Sequence, residues 1–83
     1  MMKVLKFYAD WCGPCKVYAP IFDKVVKESK IEYENIDIDK DIDGLAAKYK
    51  IRSIPATVFI YGDGTVVKEA GLLSEEILKD FIK

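Results

Sequence analysis

Cys12 and Cys15 are the two cysteines of the 83-residue chain, and two residues separate them. This spacing is compatible with a structural disulfide, a metal site or a dithiol that alternates between two oxidation states. A bridge across so short a gap closes a small loop and constrains the unfolded chain little, which argues against a structural disulfide. The pair therefore favours a redox-active disulfide.

A metal site is the weaker interpretation of the cysteine pair. A tetrahedral thiolate site needs four ligands, and the chain has two cysteines and no histidine. A metal held between two copies of the chain is the remaining alternative. The acidic run at 39–44 matches the opening of a calcium loop, but the twelfth position is Lys50 rather than glutamate. We therefore expect no metal and no bound cofactor other than the Cys12–Cys15 disulfide.

The cysteines lie between a predicted strand and a predicted helix. Residues 4–8 are apolar apart from Lys6 and are rich in strand formers, which indicates a largely buried strand. Residues 16–30 place apolar side chains at a helical period and charged ones on the opposite face. Pro20 lies inside this helix and removes one backbone donor, so a kink is expected there.

The helix start explains why a sulfur would be reactive here. Unpaired N–H groups in a first helical turn favour an anion, and a thiolate, the attacking form of cysteine, is such an anion. Cys12, nearer the surface, is the predicted nucleophile, and Cys15, one turn later, is the predicted resolving thiol. Gly13 leaves room for an incoming sulfur, and Pro14 suits a first turn because its missing N–H has no partner to lose. Trp11 is predicted to be a docking surface rather than a core aromatic.

The rest of the chain predicts alternating strands and helices. The predicted elements are a strand at 31–39, a helix at 43–49, a hairpin of strands at 57–61 and 65–68, and a helix capped by Ser74. The last helix is expected to turn Ile77, Leu78, Phe81 and Ile82 inward. The order is β-α-β-α-β-β-α, and the helical crossover makes the first two strands parallel.

Composition limits the classes of function. The chain is 51% hydrophobic and 33% charged with a net charge of −1, which indicates one globular domain over residues 1–83 and makes nucleic acid an unfavoured partner. No apolar run approaches the ~20 residues that cross a bilayer, and the start MMKVLKFYADW has no signal-like apolar stretch. We expect a cytoplasmic monomer without a membrane partner.

Three segments together resemble the thioredoxin family. The sequence FYADWCGPCKVYAP at 7–20 is similar to the family's active-site segment, IRSIP at 51–55 to its Ile-Pro loop, and Gly71 to the glycine after its last hairpin. The resemblance implies an α/β thioredoxin fold with a four-stranded mixed sheet in the order 2-1-3-4, flanked by helices. The extra amino-terminal strand and helix of full-length thioredoxins are absent, which leaves the compact core that glutaredoxins also use.

The resemblance also implies an activity and a set of site residues. The implied activity is the reduction of disulfides in client proteins, with electrons from a reductase, and the proline peptide of the loop would be cis. The backbone of Ile54 would pair with an extended client segment, and Pro55 would deny a metal access to the sulfurs. The substrate-binding residues implied in this way are Trp11, Gly13, Pro14, Ile54, Pro55 and Gly71.

Two rival functions remain open. A glutaredoxin-like enzyme that uses glutathione is favoured by the short core, whereas Trp11 and the Gly13-Pro14 pair argue against it. The other rival is a binding module or assembly subunit whose partner holds it regardless of redox state.

Lys6 departs from the family pattern. Thioredoxins usually bury an aspartate at this position and pair it with a lysine on the next strand, where this chain has Asn35. In one interpretation, the aliphatic stem of Lys6 is buried, its ammonium lies in water and the residue has no catalytic role. In the other, Lys6 lies behind Cys15 and modulates that thiol. A buried ammonium would favour the Cys15 thiolate, and a neutral lysine could accept its proton. We hypothesise modulation, because a charged residue interrupts an otherwise apolar strand.

Overall fold

The computed structural model describes residues 2–82, in which strands and helices follow the predicted β-α-β-α-β-β-α order. The strands are β1 (Lys3–Tyr8), β2 (Glu32–Asp37), β3 (Ala56–Ile60) and β4 (Val66–Ala70), and the helices are α1 (Gly13–Ser29), α2 (Leu45–Lys48) and α3 (Glu75–Phe81). A short 3-10 turn over Ile38–Lys40 follows β2.

The four strands form one mixed sheet in the order β2-β1-β3-β4. Strand β1 is parallel to β2 and antiparallel to β3, and β3 and β4 form a hairpin. The predicted thioredoxin fold and strand order are therefore confirmed. Because β1 is an inner strand, the loop that follows Tyr8 leaves the middle of the sheet, and the cysteine pair lies at that point.

Each face of the sheet has its own apolar cluster. Helices α1 and α3 pack on one face through Tyr18, Phe22, Val25, Val26 and Leu78, and the short α2 and its flanking loop cover the other through Leu45, Ala46, Tyr49 and Ile51. Alternate residues of β1 point to opposite faces, so Val4 lies under α1 while Leu5 and Phe7 lie under α2. By the same alternation Lys6 faces α1.

The structure defines where helices α1 and α2 begin. Helix α1 begins at Gly13 with Cys12 as its N-cap, so Pro14 and Cys15 lie in its first turn, as predicted, and the helix continues through Pro20. Helix α2 begins at Leu45 rather than at residue 43, because the Asp41 carboxylate accepts the N–H groups of Leu45 and Ala46 at 2.9 and 2.8 Å. The acidic run thus supplies a helix cap. The helix ends at Lys48, shortly before Lys50, whose φ of 55° is left-handed.

The expected inner face of α3 is wrong at one position. Leu78 is fully buried, but Ile77 remains 48% exposed. Residues three and four apart share a helix face, so the buried stripe runs through Leu78, Phe81 and Ile82, and Ile77 falls at its margin.

Tyr18 connects helix α1 to the sheet through a buried polar contact. Its hydroxyl lies 2.8 Å from the Thr57 hydroxyl of β3, and both side chains are fully buried. Burial raises the pKa of Tyr18 to about 12, against an opposing effect of the hydrogen bond to Thr57. The folded protein therefore favours the protonated, neutral form of Tyr18.

The Tyr18 pKa predicts an alkaline loss of stability. Tyr18 ionises near its ordinary pKa of 10.0 in the unfolded chain and only near 12 in the folded protein. The stability that the buried, neutral tyrosine contributes is therefore fully present below pH 10 and is lost as pH rises through 12. Two pKa units correspond to roughly 3 kcal/mol. Urea unfolding between pH 9 and 12 should show wild type losing that much more free energy of unfolding than Tyr18→Phe.

The matched control is Tyr33→Phe, which removes the hydroxyl of a partly buried tyrosine in the same cluster. Its free energy of unfolding should fall with pH as steeply as that of wild type. A constant difference between wild type and Tyr18→Phe across this range would contradict the assignment.

Candidate active site

The cysteine pair lies at the start of α1. Cys12 has extended backbone angles, φ −88° and ψ 109°, and its sulfur accepts the backbone N–H of Cys15 at 3.2 Å. The N–H of Cys12 itself donates to the Ala9 carbonyl at 3.1 Å, which folds the loop back from the end of β1. The two sulfurs form a disulfide, with Cα atoms 5.3 Å apart.

The surroundings of the pair favour negative charge on the Cys12 sulfur. The first turn of α1 contains no acidic residue, and Pro14 sits where a backbone donor is not needed. Partial positive charge from the free N–H groups therefore reaches the sulfur without competition. Burial does not distinguish the two residues, because Cys12 is 5% and Cys15 is 3% exposed. The hydrogen bond from the helix does distinguish them.

The Ile-Pro loop lies against the cysteines, as the family resemblance implied. The Ile54–Pro55 peptide bond is cis, and the Ile54 carbonyl oxygen is 3.8 Å from the Cys12 sulfur. Pro55 is buried, and its carbonyl accepts the Gly71 N–H at 2.8 Å. Gly71 has φ 88°, a left-handed conformation that favours glycine. The glycine after the last hairpin thus connects β4 to the proline loop.

The approach to Cys12 is open on its helix side. Gly13 and Pro14 are both exposed, and a Cβ atom added to Gly13 would meet nothing within 4 Å. Packing within the protein therefore does not require glycine at this position. The open space is available to an incoming chain.

Trp11 forms one wall of an apolar hollow beside the disulfide. Its side chain is 67% exposed, and its indole N–H donates to the Asp39 carboxylate at 2.8 Å. The hollow has a volume of about 380 Å³ and continues from Trp11 along the Ile-Pro loop. We name this hollow the client groove after the role proposed for it below, and its lining residues are Trp11, Ile38, Ala46, Ile51, Arg52, Ser53 and Ile54.

Sequence reasoning missed Asp39 and the part of the groove that follows β2. Asp39 belongs to an acidic run that resembles a solvated loop, and it is 28 residues from Trp11. No local pattern marks such a pair. The contact arises because the 3-10 turn after β2 ends beside the loop after β1.

Lys6 is buried on the α1 face, behind the cysteine pair. Its side chain is 4% exposed, and its ammonium lies 5.1 Å from the Phe22 ring centre and 5.4 Å from that of Tyr8. Lys6 and Cys15 line the same hollow of about 250 Å³, and Asn35 of β2, the register partner of Lys6, lines it as well. Burial lowers the pKa of Lys6, while the nearby Asp23 carboxylate opposes that effect.

The described residues contain neither a metal-binding cluster nor a membrane-spanning helix. Within residues 2–82, no three histidine, cysteine, aspartate or glutamate side chains converge on a point that could hold a metal ion. None of the helices in this part of the chain has the length and apolar character needed to span a bilayer.

Comparison with known proteins identifies the family. The thioredoxin family model matches residues 1–83. The chain belongs to the thioredoxin family. It is 38% identical to thioredoxin of Borreliella burgdorferi, over 96% of this chain and 69% of that one, and 41% identical to thioredoxin of Buchnera aphidicola subsp. Baizongia pistaciae, over 95% and 73%. A mutant thioredoxin from Halobacterium salinarum superposes with a TM-score of 0.85 at 35% identity, covering 98% of this chain and 71% of that one.

Family membership and the paired cysteines together establish the type of activity. The chain is a thiol–disulfide oxidoreductase, and the thioredoxin family reduces protein disulfides by dithiol–disulfide exchange. Thioredoxins need no cofactor for this exchange, and the disulfide that takes part in it is formed in the structure.

The Trp11–Asp39 hydrogen bond predicts how the indole is held. Asp39→Ala should release the ring, so acrylamide should quench its fluorescence more strongly, and stability should fall by about 0.5–1.5 kcal/mol. Trp11 is the one tryptophan of the chain, which makes the signal unambiguous. The control is Asp43→Ala, which removes an exposed carboxylate from the same acidic run. Equal quenching in both variants would contradict the role of Asp39.

Proposed function

We propose that Cys12 is the attacking thiol and Cys15 the resolving thiol of a protein-disulfide reductase. The observation that carries the assignment is the hydrogen bond from the Cys15 N–H to the Cys12 sulfur. Among the described residues, the Cys15 sulfur receives no such bond. In the reduced protein the same N–H would stabilise a thiolate on Cys12, and the thiolate is the nucleophile.

The reaction then proceeds by two exchanges. The Cys12 thiolate attacks one sulfur of a client disulfide, the client S–S bond breaks, and the other client sulfur leaves as a thiolate that takes up a proton. The Cys15 thiol loses its proton and attacks the Cys12 sulfur of the mixed disulfide, which releases the second client thiol. Two electrons and two protons reach the client, and the protein keeps the Cys12–Cys15 disulfide.

Clients are proposed to bind as extended segments along the client groove. Trp11 and Ile54 offer apolar surface on either side of Cys12, and exposed Gly13 and Pro14 leave the sulfur accessible. The Ile54 backbone would pair with the client main chain, as in other sheet-like peptide recognition. Gly71 supports this surface by holding the loop in place through the Pro55 carbonyl. Pro55 is proposed to deny metal ions access to the sulfurs.

The oxidised protein must be reduced again to act repeatedly. We propose a protein reductase as the electron donor, rather than glutathione, because the exposed Trp11 and the groove beside it suit a protein partner. We also propose that the enzyme works as a single-domain monomer in the cytoplasm, where thiols are kept reduced. Reduction rates with thioredoxin reductase and with glutathione distinguish the two donors.

The roles of the two cysteines predict different behaviour of their serine variants. Cys12→Ser should reduce insulin no faster than the uncatalysed background, because the attacking sulfur is gone. Cys15→Ser should complete the first exchange and stop, since nothing resolves the mixed disulfide. Mass spectrometry after mixing with a disulfide-bonded client should therefore show a covalent adduct with Cys15→Ser and none with Cys12→Ser. The opposite pattern would reverse the assignment.

We further propose that Lys6 is a positioning residue for Cys15. Lys6 stays close to charge-stabilising partners, the rings of Phe22 and Tyr8 and the carboxylate of Asp23, which favour the ammonium form. A cation in the hollow that Cys15 lines favours the thiolate that resolves the mixed disulfide. The other charged groups that line this hollow are Asp10 and Lys16.

Replacement of Lys6 tests this effect on Cys15. In Lys6→Met the pH profile of the resolving step should move to higher pH, because the Cys15 thiolate loses a nearby cation, whereas Lys6→Arg should keep the wild-type profile. Stopped-flow measurement of client release from the mixed disulfide follows this step. The control is Lys27→Met, which removes an exposed lysine from the helix that carries Cys15. An unchanged pH profile of the resolving step in Lys6→Met would show that Lys6 has only a structural role.

A further inference from the structure

A basic hollow adjoins the client groove on the side of β4. It has a volume of about 350 Å³, and the cations Lys50, Arg52 and Lys68 line it. Arg52 lies on the wall that this hollow shares with the client groove. The two hollows are therefore neighbours along one wall, and a chain lying in the groove passes directly beside the basic hollow.

The three cations are available to a ligand. All three side chains are exposed, and no carboxylate within residues 2–82 lies within 4.0 Å of any of them. Glu69 also lines the hollow but forms no ion pair with them. The hollow therefore carries an excess of positive charge, since three cations and one carboxylate line it.

Charge is distributed unevenly across the active site. On the opposite, β2 side, a further hollow is lined by the carboxylates Glu34, Asp37, Asp41 and Asp43, with one cation, Lys40. The two hollows lie toward opposite edges of the sheet, since β2 and β4 are its outer strands. The net charge of the whole chain is only −1, so this polarity comes from arrangement rather than from composition. The acidic and the basic hollow therefore give the two edges of the sheet opposite charge.

The spacing places the basic hollow within reach of residues close to the attacked cysteine. Arg52 is two residues from Ile54, whose carbonyl oxygen is 3.8 Å from the Cys12 sulfur. Two residues of chain span at most about 7 Å, so the Arg52 backbone stays close to that carbonyl. A client cysteine joined to Cys12 would thus have its second or third neighbour beside Arg52.

We propose that the preferred clients are extended protein segments with aspartate or glutamate two or three residues from the attacked cysteine, and that this acidic side chain enters the basic hollow. The inference rests on the proposed docking of clients in the client groove. Complementary charge at the rim of a binding site accelerates the encounter of the two partners and fixes the register of the bound segment. Like charge disfavours binding of the wrong partner. Segments with lysine at the same positions are the poor substrates.

Three peptides that differ only near one intermolecular disulfide test the proposal. Glutamate, glutamine or lysine occupies the second and third positions on both sides of the cysteine. The measured quantity is the second-order rate constant of the reduced protein with each peptide. Each value is divided by the rate constant of the same peptide with dithiothreitol, which corrects for the intrinsic reactivity of the disulfide.

Wild type should reduce the glutamate peptide about 3- to 10-fold faster than the glutamine peptide in dilute buffer, with the lysine peptide slowest. The preference should shrink to less than about twofold at 0.5 M salt, where charges are screened beyond about 4 Å. The variant Arg52→Gln/Lys68→Gln should lose the preference. The control Lys27→Gln/Lys30→Gln removes the same charge from exposed positions at the end of α1 and should keep it.

A corrected glutamate-to-glutamine ratio within about twofold for wild type at low salt would overturn the proposal. An equal loss of preference in both double variants would also overturn it, because net charge rather than the basic hollow would then be responsible. The basic hollow would be assigned to glutathione instead if the wild type reduced glutathione disulfide faster than the glutamate peptide and Arg52→Gln/Lys68→Gln did not. Failure of the wild type to reduce even the glutamine peptide would count against the proposed function itself.

Discussion

The hydrogen bond between the Cys15 N–H and the Cys12 sulfur, at 3.2 Å, is the interaction on which the proposed roles of the two cysteines depend. It places a sulfur at the N-terminus of α1, where the helix dipole is positive, so the helix itself supplies the positive potential that stabilises a thiolate. The chain has no histidine to act as a base beside the cysteine. Polarisation by the backbone therefore takes the place of a side-chain activator.

This geometry requires the whole sheet around it. Strand β1 is held between β2 and β3, and its apolar side chains pack on both faces, so the end of the strand is fixed in position. The long helix α1 is anchored along its length by Tyr18, Phe22, Val25 and Val26. A small loop joins these two fixed elements, and Cys12 has little freedom to leave the helix end. Reactivity at one atom thus depends on two separate apolar clusters.

The proline loop and the groove come from more distant parts of the chain. The hairpin of β3 and β4 brings Gly71 to the Pro55 carbonyl, and that contact holds the Ile54 carbonyl near the Cys12 sulfur. The turn after β2 brings Asp39 to Trp11. The proline loop and the turn after β2 therefore both lie beside the loop that carries the disulfide, and a hydrogen bond connects each of them to another segment of the chain. The acidic hollow lies beside β2 and the turn after it, and the basic hollow lies beside the proline loop and β4.

The sequence by itself determined the chemistry and the order of the elements. The Cys-x-x-Cys spacing, the helical period after it and the turn residues are local features, and local features report reliably on helix starts, strands and hairpins. Only the tertiary structure decided where Lys6, Asp39 and Arg52 lie relative to the sulfurs, and that Ile77 falls at the margin of the buried stripe. These positions depend on contacts between residues far apart in the chain and on the packing of α3 against the sheet. Such contacts leave no periodic trace in the sequence, because their partners are chosen by the folded sheet rather than by neighbours along the chain.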